Sequence, residues 1–257
     1  MNKFIFAIHR GGSSILGEVT KACAMGSEEN RVVLGAGAGL FAEVGTHGAA
    51  RRPTANDTVS DDPSYEAFVP QIENWRQHAG VFSPIRRADF FPAEFFAPGD
   101  LALLNMRDPR DCMVSGYFGF LRLHGNGLQD ADKKAQYEMG IDAYVLTHML
   151  GRYSKALNDY MALRKQIPDM TVLHYEEMVT SFDSWFEKFY AALQFNPAKY
   201  DKLLAQQGAH FVPPPVENID QHKRQMLPGD YARKLEPETI DIINTQMAAQ
   251  LSYFGYL

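Results

Sequence analysis

The sequence predicts an α/β fold: a central, mostly parallel sheet, doubly wound and flanked by helices, in one domain spanning residues 1–257. Three observations carry this. The apolar runs Phe4–Ile8 and Leu101–Met106 are continuous rather than alternating, as in strands buried on both faces of a parallel sheet, and Met170–His174 reads as another strand. The stretches that follow them repeat their apolar residues at helical spacing. The length of 257 residues also suits a single large α/β unit.

The elements follow in order. After the first strand, Ser13 caps a helix over Ser14–Met25, with Ile15, Leu16, Val19 and Ala22 on one face. Arg31–Leu34 reads as a second strand, and the glycines of GAGAGL that follow predict a loop. Residues 45–62, rich in Gly, Ala, Pro, Asn and Asp, form an irregular excursion. Tyr65–His78 reads as helix and Gly80–Phe82 as a short strand. Behind the Leu101–Met106 strand, Pro109 opens a helix at its first turn, where its missing N–H costs nothing. Ile141–Lys165 is one long helix, with Tyr144, Met149 and Tyr153 turned to the core. Trp185–Leu193 is helical, Pro213–Pro215 marks a loop, and a last helix starts near Pro237.

Composition narrows the function classes. A net charge of −6 disfavours a general nucleic-acid binder, which needs a basic surface to displace counterions. Cys23 and Cys112 have no metal or CxxC spacing and read as reduced core thiols. No apolar run reaches the ~18 residues of a membrane span, and the N-terminus lacks the pattern of a secretory signal, so the cytoplasm is the expected location.

Three segments carry chemistry. HRGGSSIL joins a strand to a helix; there the loop N–H groups and the helix dipole converge on one point. Gly11 and Gly12 let an oxyanion approach the backbone, Ser13 and Ser14 add hydroxyls, and Arg10 adds a planar cationic fork. The lysine of GxxxxGK[ST] is absent. Arg107 stands at the carboxyl end of a predicted central strand, where open α/β sheets bind ligands, and Ser115 lies two helical turns on, facing back toward it. HKRQMLPGDYARKL, with Lys223, Arg224, Arg233 and Lys234, is the most basic short stretch of an acidic chain. Taken singly, these also fit a capped βα turn, a surface ion pair and a solvated charge run.

Together they resemble the sulfotransferases that use 3′-phosphoadenosine 5′-phosphosulfate (PAPS). HRGGSSIL resembles their 5′-phosphosulfate loop, PKSGTTWL or PRSGTTLM; MRDPRDCMVSGYF resembles the 3′-phosphate motif; HYEEMV resembles the YEDL element; and RQMLPGDYARKL resembles the RKGxxGDW loop. The four stand in the family order over nearly the whole chain. The resemblance implies a P-loop-type three-layer fold and metal-independent, in-line transfer of a sulfuryl group to a hydroxyl or amine, leaving 3′-phosphoadenosine 5′-phosphate (PAP). It assigns Arg10, Gly11, Gly12, Ser13, Ser14 and Ile15 to the 5′-phosphosulfate side of the cofactor. Arg107, Ser115 and Arg224 go to the 3′-phosphate, and Tyr175 to the vicinity of the adenine. Gln225 and Met226 replace the Lys and Gly of RKG, which puts that loop's grip in question.

The resemblance does not supply a general base. The KTHLP histidine of cytosolic members is missing from the comparable VFSPIRR, where Arg86 is placed to bind an acidic acceptor or to add charge near the sulfate. Other branches use a glutamate after the second strand, which makes Glu43 the first candidate catalytic base and His47 the second, beside Arg10 as the catalytic cation. The acceptor, a small molecule, glycan or lipid, is not legible, and the resemblance leaves room for a homodimer. A catalytically silent nucleotide-binding relative and, more remotely, a P-loop kinase are the rival readings.

Overall fold

The computed structural model describes residues 1–24, 32–36, 40–44, 80–123, 126–208, 211, 213–221 and 223–257, with 32–36 and 40–44 as backbone. Its centre is a six-stranded sheet. The strands are β1 (Lys3–Ala7), β2 (Val32–Ala36), β3 (Leu40–Val44), β4 (Val81–Ile85), β5 (Leu101–Met106) and β6 (Thr171–His174), in spatial order β3-β2-β4-β1-β5-β6. All neighbours are parallel except β2 and β3.

The helices are α1 (Ser13–Ala24), α2 (Pro109–Phe118), α3 (Ala131–Glu138), α4 (Ile141–Tyr144), α5 (Leu150–Gln166), α6 (Tyr175–Thr180), α7 (Phe182–Ala192), α8 (Tyr200–Gly208), α9 (Tyr231–Lys234), α10 (Pro237–Gln246) and α11 (Ala248–Tyr253).

The continuous apolar run of β1 does what such a run predicts. Phe4, Ile5, Phe6, Ala7 and Ile8 are all fully buried, and they divide between two cores. Phe4, Phe6 and Ile8 join Leu104, Met113, Tyr153, Leu157 and Ile243 on one face of the sheet. Ile5 and Ala7 join Leu16, Val19, Leu103, Trp185 and Phe189 on the other. Alternate side chains of one strand thus hold both helical layers, and each fully buried large side chain contributes about 1.5–3 kcal/mol.

The chain departs from its sequence pattern in instructive places. Beyond residues 37–39, which lie outside the described residues, an unforeseen strand β3 pairs antiparallel with β2, with Val32 opposite Val44 and Ala36 opposite Leu40. The long helix expected over Ile141–Lys165 is interrupted by a π turn at Val145–Met149. There Met149 lies against Gly116 of α2, where a β-carbon would come within 2.4 Å of the methionine methyl. The residue 45–62 excursion and the Tyr65–His78 helix lie outside the described residues. Cys23 and Cys112 are buried and unbridged. Among the described residues no helix is long and apolar enough to cross a membrane.

The C-terminus is tied to the edge strand by a short relay. His174 Nδ1 stands 3.0 Å from the Tyr256 hydroxyl, which donates to Glu176 Oε2 at 3.2 Å, while Glu176 Oε1 accepts from the Asp108 backbone N–H at 2.9 Å. Burial, helped by Lys188 and opposed by Glu177, lowers the His174 pKa below its ordinary value. In the window just below about 6.5, the unfolded chain therefore takes up more protons than the folded one, and stability falls as pH falls. The melting temperature should decline on acidification through that window, and His174→Gln should flatten the decline. An unchanged slope in the variant would refute this origin.

Candidate active site

The strand register brings the chemistry to one edge. Ala7 is level with Asn105, Phe6 with Ile85, and Met106 with His174, so β1, β4, β5 and β6 end together. The chain leaves β1 toward β2 on one side of the sheet and β5 toward β6 on the other, which makes the gap between β1 and β5 a topological switch point. The Ile8–Ser13 loop and Arg107 flank that gap.

The loop is anchored mainly through its carbonyls. Gly11 N–H returns to the Ile8 carbonyl at 2.9 Å. The Tyr160 hydroxyl holds the Ala7 carbonyl at 3.0 Å, the Tyr153 hydroxyl holds that of His9 at 3.1 Å, and Asn105 Nδ2 holds that of Gly11 at 3.3 Å. Asn105 is fixed in turn by Trp185 Nε1, 3.1 Å from its Oδ1. Arg10 has φ 64° and Gly12 φ 77°. Such left-handed backbone costs an ordinary L residue roughly 1–2 kcal/mol. A β-carbon on Gly12 would lie 2.8 Å from the Tyr175 ring, and one on Gly11 2.6 Å from Ile8 Cγ2. α1 starts at Ser13, and its first-turn N–H groups have no partners within the helix.

Guanidinium groups converge on this loop. Arg10 Nε donates to Ser115 Oγ at 3.2 Å, and Arg107 Nη1 donates to the Arg10 carbonyl at 3.0 Å. Arg107 lies over the Tyr175 ring at 4.4 Å, with its Nη2 3.8 Å from Asp111. Its Nε is buried and makes no hydrogen bond. Arg86, just beyond β4, donates from Nε to Ser13 Oγ at 3.0 Å; among the described residues no carboxylate pairs with it. Burial lowers the pKa of Arg10, and the charges of Arg107 and Arg224 lower it further; Arg86 is lowered by burial and then by Arg10. Burial would also pull Arg107 down, but Tyr175, Cys112, Asp111 and Glu176 more than offset it and hold the group above its ordinary value. Mutually repelling, largely buried cations beside the N-terminus of α1 make a site that an oxyanion would relax.

The loop from residue 213 onward closes over α2. Asp111, fully buried, accepts from the backbone N–H of Gly229 and of Tyr231, each at 2.9 Å. Arg224 is engaged by Glu217 and Asp230 and lies over the Phe118 ring at 4.5 Å. The Tyr175 hydroxyl donates to the Met226 carbonyl at 3.0 Å. Met226 stands where the resemblance expects glycine and adopts φ 64°, the conformation glycine would take without strain. Ser14 and Ile15 line a cavity of about 390 Å³ along the outer face of α1, with Glu18, Gln207 and Lys223 on its other walls.

The sequence-predicted residues therefore divide. Arg10, Gly11, Gly12, Ser13, Arg107, Ser115, Tyr175 and Arg224 come together, with Ser14 and Ile15 at the cavity beside them. Glu43 does not join them. It pairs with Val33, which is level with Phe82 and so with Phe4, at the opposite end of the parallel strands and three strands away from β1. That puts three steps of about 4.8 Å, plus most of a strand's length, between it and the loop. His47 lies outside the described residues. Asn105, Asp111, Tyr153 and Arg86's bond to Ser13 were not foreseen; a polar residue within a buried strand was the available signal for Asn105.

No curated protein matches the chain in sequence. In fold it is similar to a mouse sulfotransferase, SULT7A1, complexed with PAP, at 13% identity over 98% of this chain and 84% of that one, with a TM-score of 0.60. It is also similar to a retinol dehydratase in complex with retinol and PAP, at 14% identity over 97% and 81% of the two chains, with a TM-score of 0.50. The model of the sulfotransferase domain matches residues 3–207, most of the chain, and the chain belongs to that family.

Proposed function

We propose that this sulfotransferase takes its sulfuryl group from PAPS and passes it in line to a hydroxyl or amine of a small-molecule, glycan or lipid acceptor. The observation that carries the choice of donor is the pairing of two anion sites across one switch point. One is the β1 loop; the other is Arg107 with Ser115, joined to the first through Arg10. A donor bearing a phosphosulfate and a separate phosphate matches that pair, and the bondless buried Nε of Arg107 is a donor waiting for an acceptor.

When bound, PAPS supplies the activated sulfuryl group and a phosphoadenosine leaving group. The chain supplies position and charge. Gly12, Ser13 and Ser14 offer backbone and hydroxyl donors to the phosphosulfate, Gly11, its N–H held by Ile8, keeps the turn tight beside them, and Ile15 forms an apolar wall for the adenosine beside the cavity. Arg107, Ser115 and Arg224 hold the 3′-phosphate. Tyr175, wedged between Gly12 and Arg107, sets the spacing of the two phosphate sites rather than lying flat on the adenine. Arg10 and Arg86 face the loop where negative charge grows during transfer, the place where fixed donors are most effective. The acceptor proton requires a base. His47→Ala and Glu43→Gln test in turn the two candidates that the resemblance suggests.

Calorimetric titration with PAP and with ADP, without added magnesium, tests the reading. PAP should bind at least about tenfold tighter, since a single charge-assisted hydrogen bond to the extra phosphate is worth roughly 1.5–3 kcal/mol. Equal affinity for the two nucleotides would refute recognition of a 3′-phosphate.

A further inference from the structure

We infer that Glu217 is an internal competitor for the phosphate of the nucleotide: its carboxylate occupies, between Arg224 and Lys234, the place that a bound 3′-phosphate takes. The inference rests on the PAPS reading above, but concerns a residue that reading does not use.

The two oxygens of Glu217 are divided between two cations. Oε1 accepts from Arg224 Nη1, and Oε2 accepts from Lys234 Nζ at 2.8 Å. Both cations also lie over one ring, Phe118, at 4.5 Å for Arg224 and 6.0 Å for Lys234. Phe118 is three residues beyond Ser115 on α2, on the same side of that helix, so this cation pair borders the surface that carries Ser115. A small anion with at least two oxygens is what two cations so placed would bind, and a carboxylate of the chain is bound there.

The other carboxylate on Arg224 has a different standing. Asp230 is 1% exposed, pairs with Arg233 as well, and sits between Gly229 and Tyr231, whose N–H groups are both pinned to Asp111. It is part of the fixed frame. Glu217 lies in the 213–221 stretch outside helix and strand, and its side chain is 24% exposed. An incoming phosphate can displace Glu217 and leave Asp230 in place, so Arg224 would keep one carboxylate and exchange the other. A phosphate also carries more charge and more acceptor oxygens than the carboxylate it replaces. The exchange would raise the selectivity of the site for a dianion over weaker anions of the cell.

The test is a pair of opposed readouts on Glu217→Gln. The ion pairs to Arg224 and Lys234 are lost, so the melting temperature of the unliganded variant should fall. Its affinity for PAP should rise, by about tenfold, while its affinity for ADP changes less than about twofold. A residue that merely supports the fold would lose on both counts. Adding Glu217→Gln to Arg224→Ala should give a smaller gain in PAP affinity than in the wild-type background, because one of the two cations competed for is gone. Glu217→Asp, which keeps the charge but is too short to bridge both cations, should fall between wild type and Glu217→Gln and serves if the glutamine variant folds poorly. Unchanged or weaker PAP binding by these variants, in a protein whose wild type prefers PAP to ADP, overturns the inference alone. A wild type without that preference overturns the donor reading and the inference with it.

Discussion

Arg107→Ala is expected to weaken PAP binding by about 10²-fold or more, in line with the 2–5 kcal/mol lost when one partner of a buried, hydrogen-bonded charge pair is truncated. ADP, lacking the 3′-phosphate, should lose far less. The side chain is 8% exposed and joins three parts of the site: the Arg10 carbonyl, the Tyr175 ring and Asp111. Its removal also leaves Asp111 with only the N–H groups of Gly229 and Tyr231 as donors. Burial already raises the Asp111 pKa, and Arg107 is the main group opposing that rise. In the variant the carboxyl rises further. A carboxyl raised in the folded state costs stability as pH climbs through its folded pKa, because the folded protein must then carry the charge in a dry place. The stability gap between variant and wild type, on the order of 3 kcal/mol near neutrality, should therefore narrow as pH is lowered into the carboxylate range. Denaturant melts across that range would show it, and a gap that widened on acidification would contradict the account. Arg107→Lys should bind PAP with intermediate strength, since it keeps the charge but loses the planar fork.

The parts of this fold that could be read in the sequence are those set by local chemistry. The apolar run of β1, the apolar stripe of α1, and Pro109 at the start of α2 each specify their element without help from distant residues, whereas Ser13, expected to cap α1, is its first residue and its hydroxyl accepts from Arg86. The strand β3 was hidden because Leu40–Val44 follows a glycine-rich stretch that signals a loop, and its pairing with β2 depends on a neighbouring strand. The π turn before α5 was hidden for the same kind of reason: it answers to Gly116 of another helix. In the site, the residues gathered at the switch point announced themselves by type, as glycines, serines and arginines at strand ends. The residues that hold them did not. Tyr153, Tyr160 and Trp185 look like ordinary core aromatics, and only the fold shows their polar atoms reaching the β1 loop or Asn105. The position of Glu43 was hidden because its sequence distance from a strand says nothing about which end of the sheet the next strand returns to.

Arg10→Ala should lower kcat for sulfuryl transfer by about 10²–10³-fold, the loss typical of removing one fixed donor from the charge that develops in a transition state. PAP affinity should fall less, because the loop N–H groups, Arg107 and Ser115 remain. The orientation of Arg10 can be tested apart from its presence. Gly119 faces its guanidinium so closely that a β-carbon there would lie 2.2 Å from Nη2 and 2.5 Å from Cζ. The Gly119 backbone is ordinary right-handed helix, φ −69°, so alanine suits it, and the only group that must move is the far end of the Arg10 side chain. Gly119→Ala should therefore leave the melting temperature unchanged or slightly raised while kcat drops by about tenfold, as an interaction made mainly in the transition state is misaligned. The methyl should have little effect in the Arg10→Ala background, because the two changes act on one group and cannot add. If Gly119→Ala slowed the reaction equally in both backgrounds, its effect would run through the packing of α2, and the aim of Arg10 at the loop would not be what sets the rate.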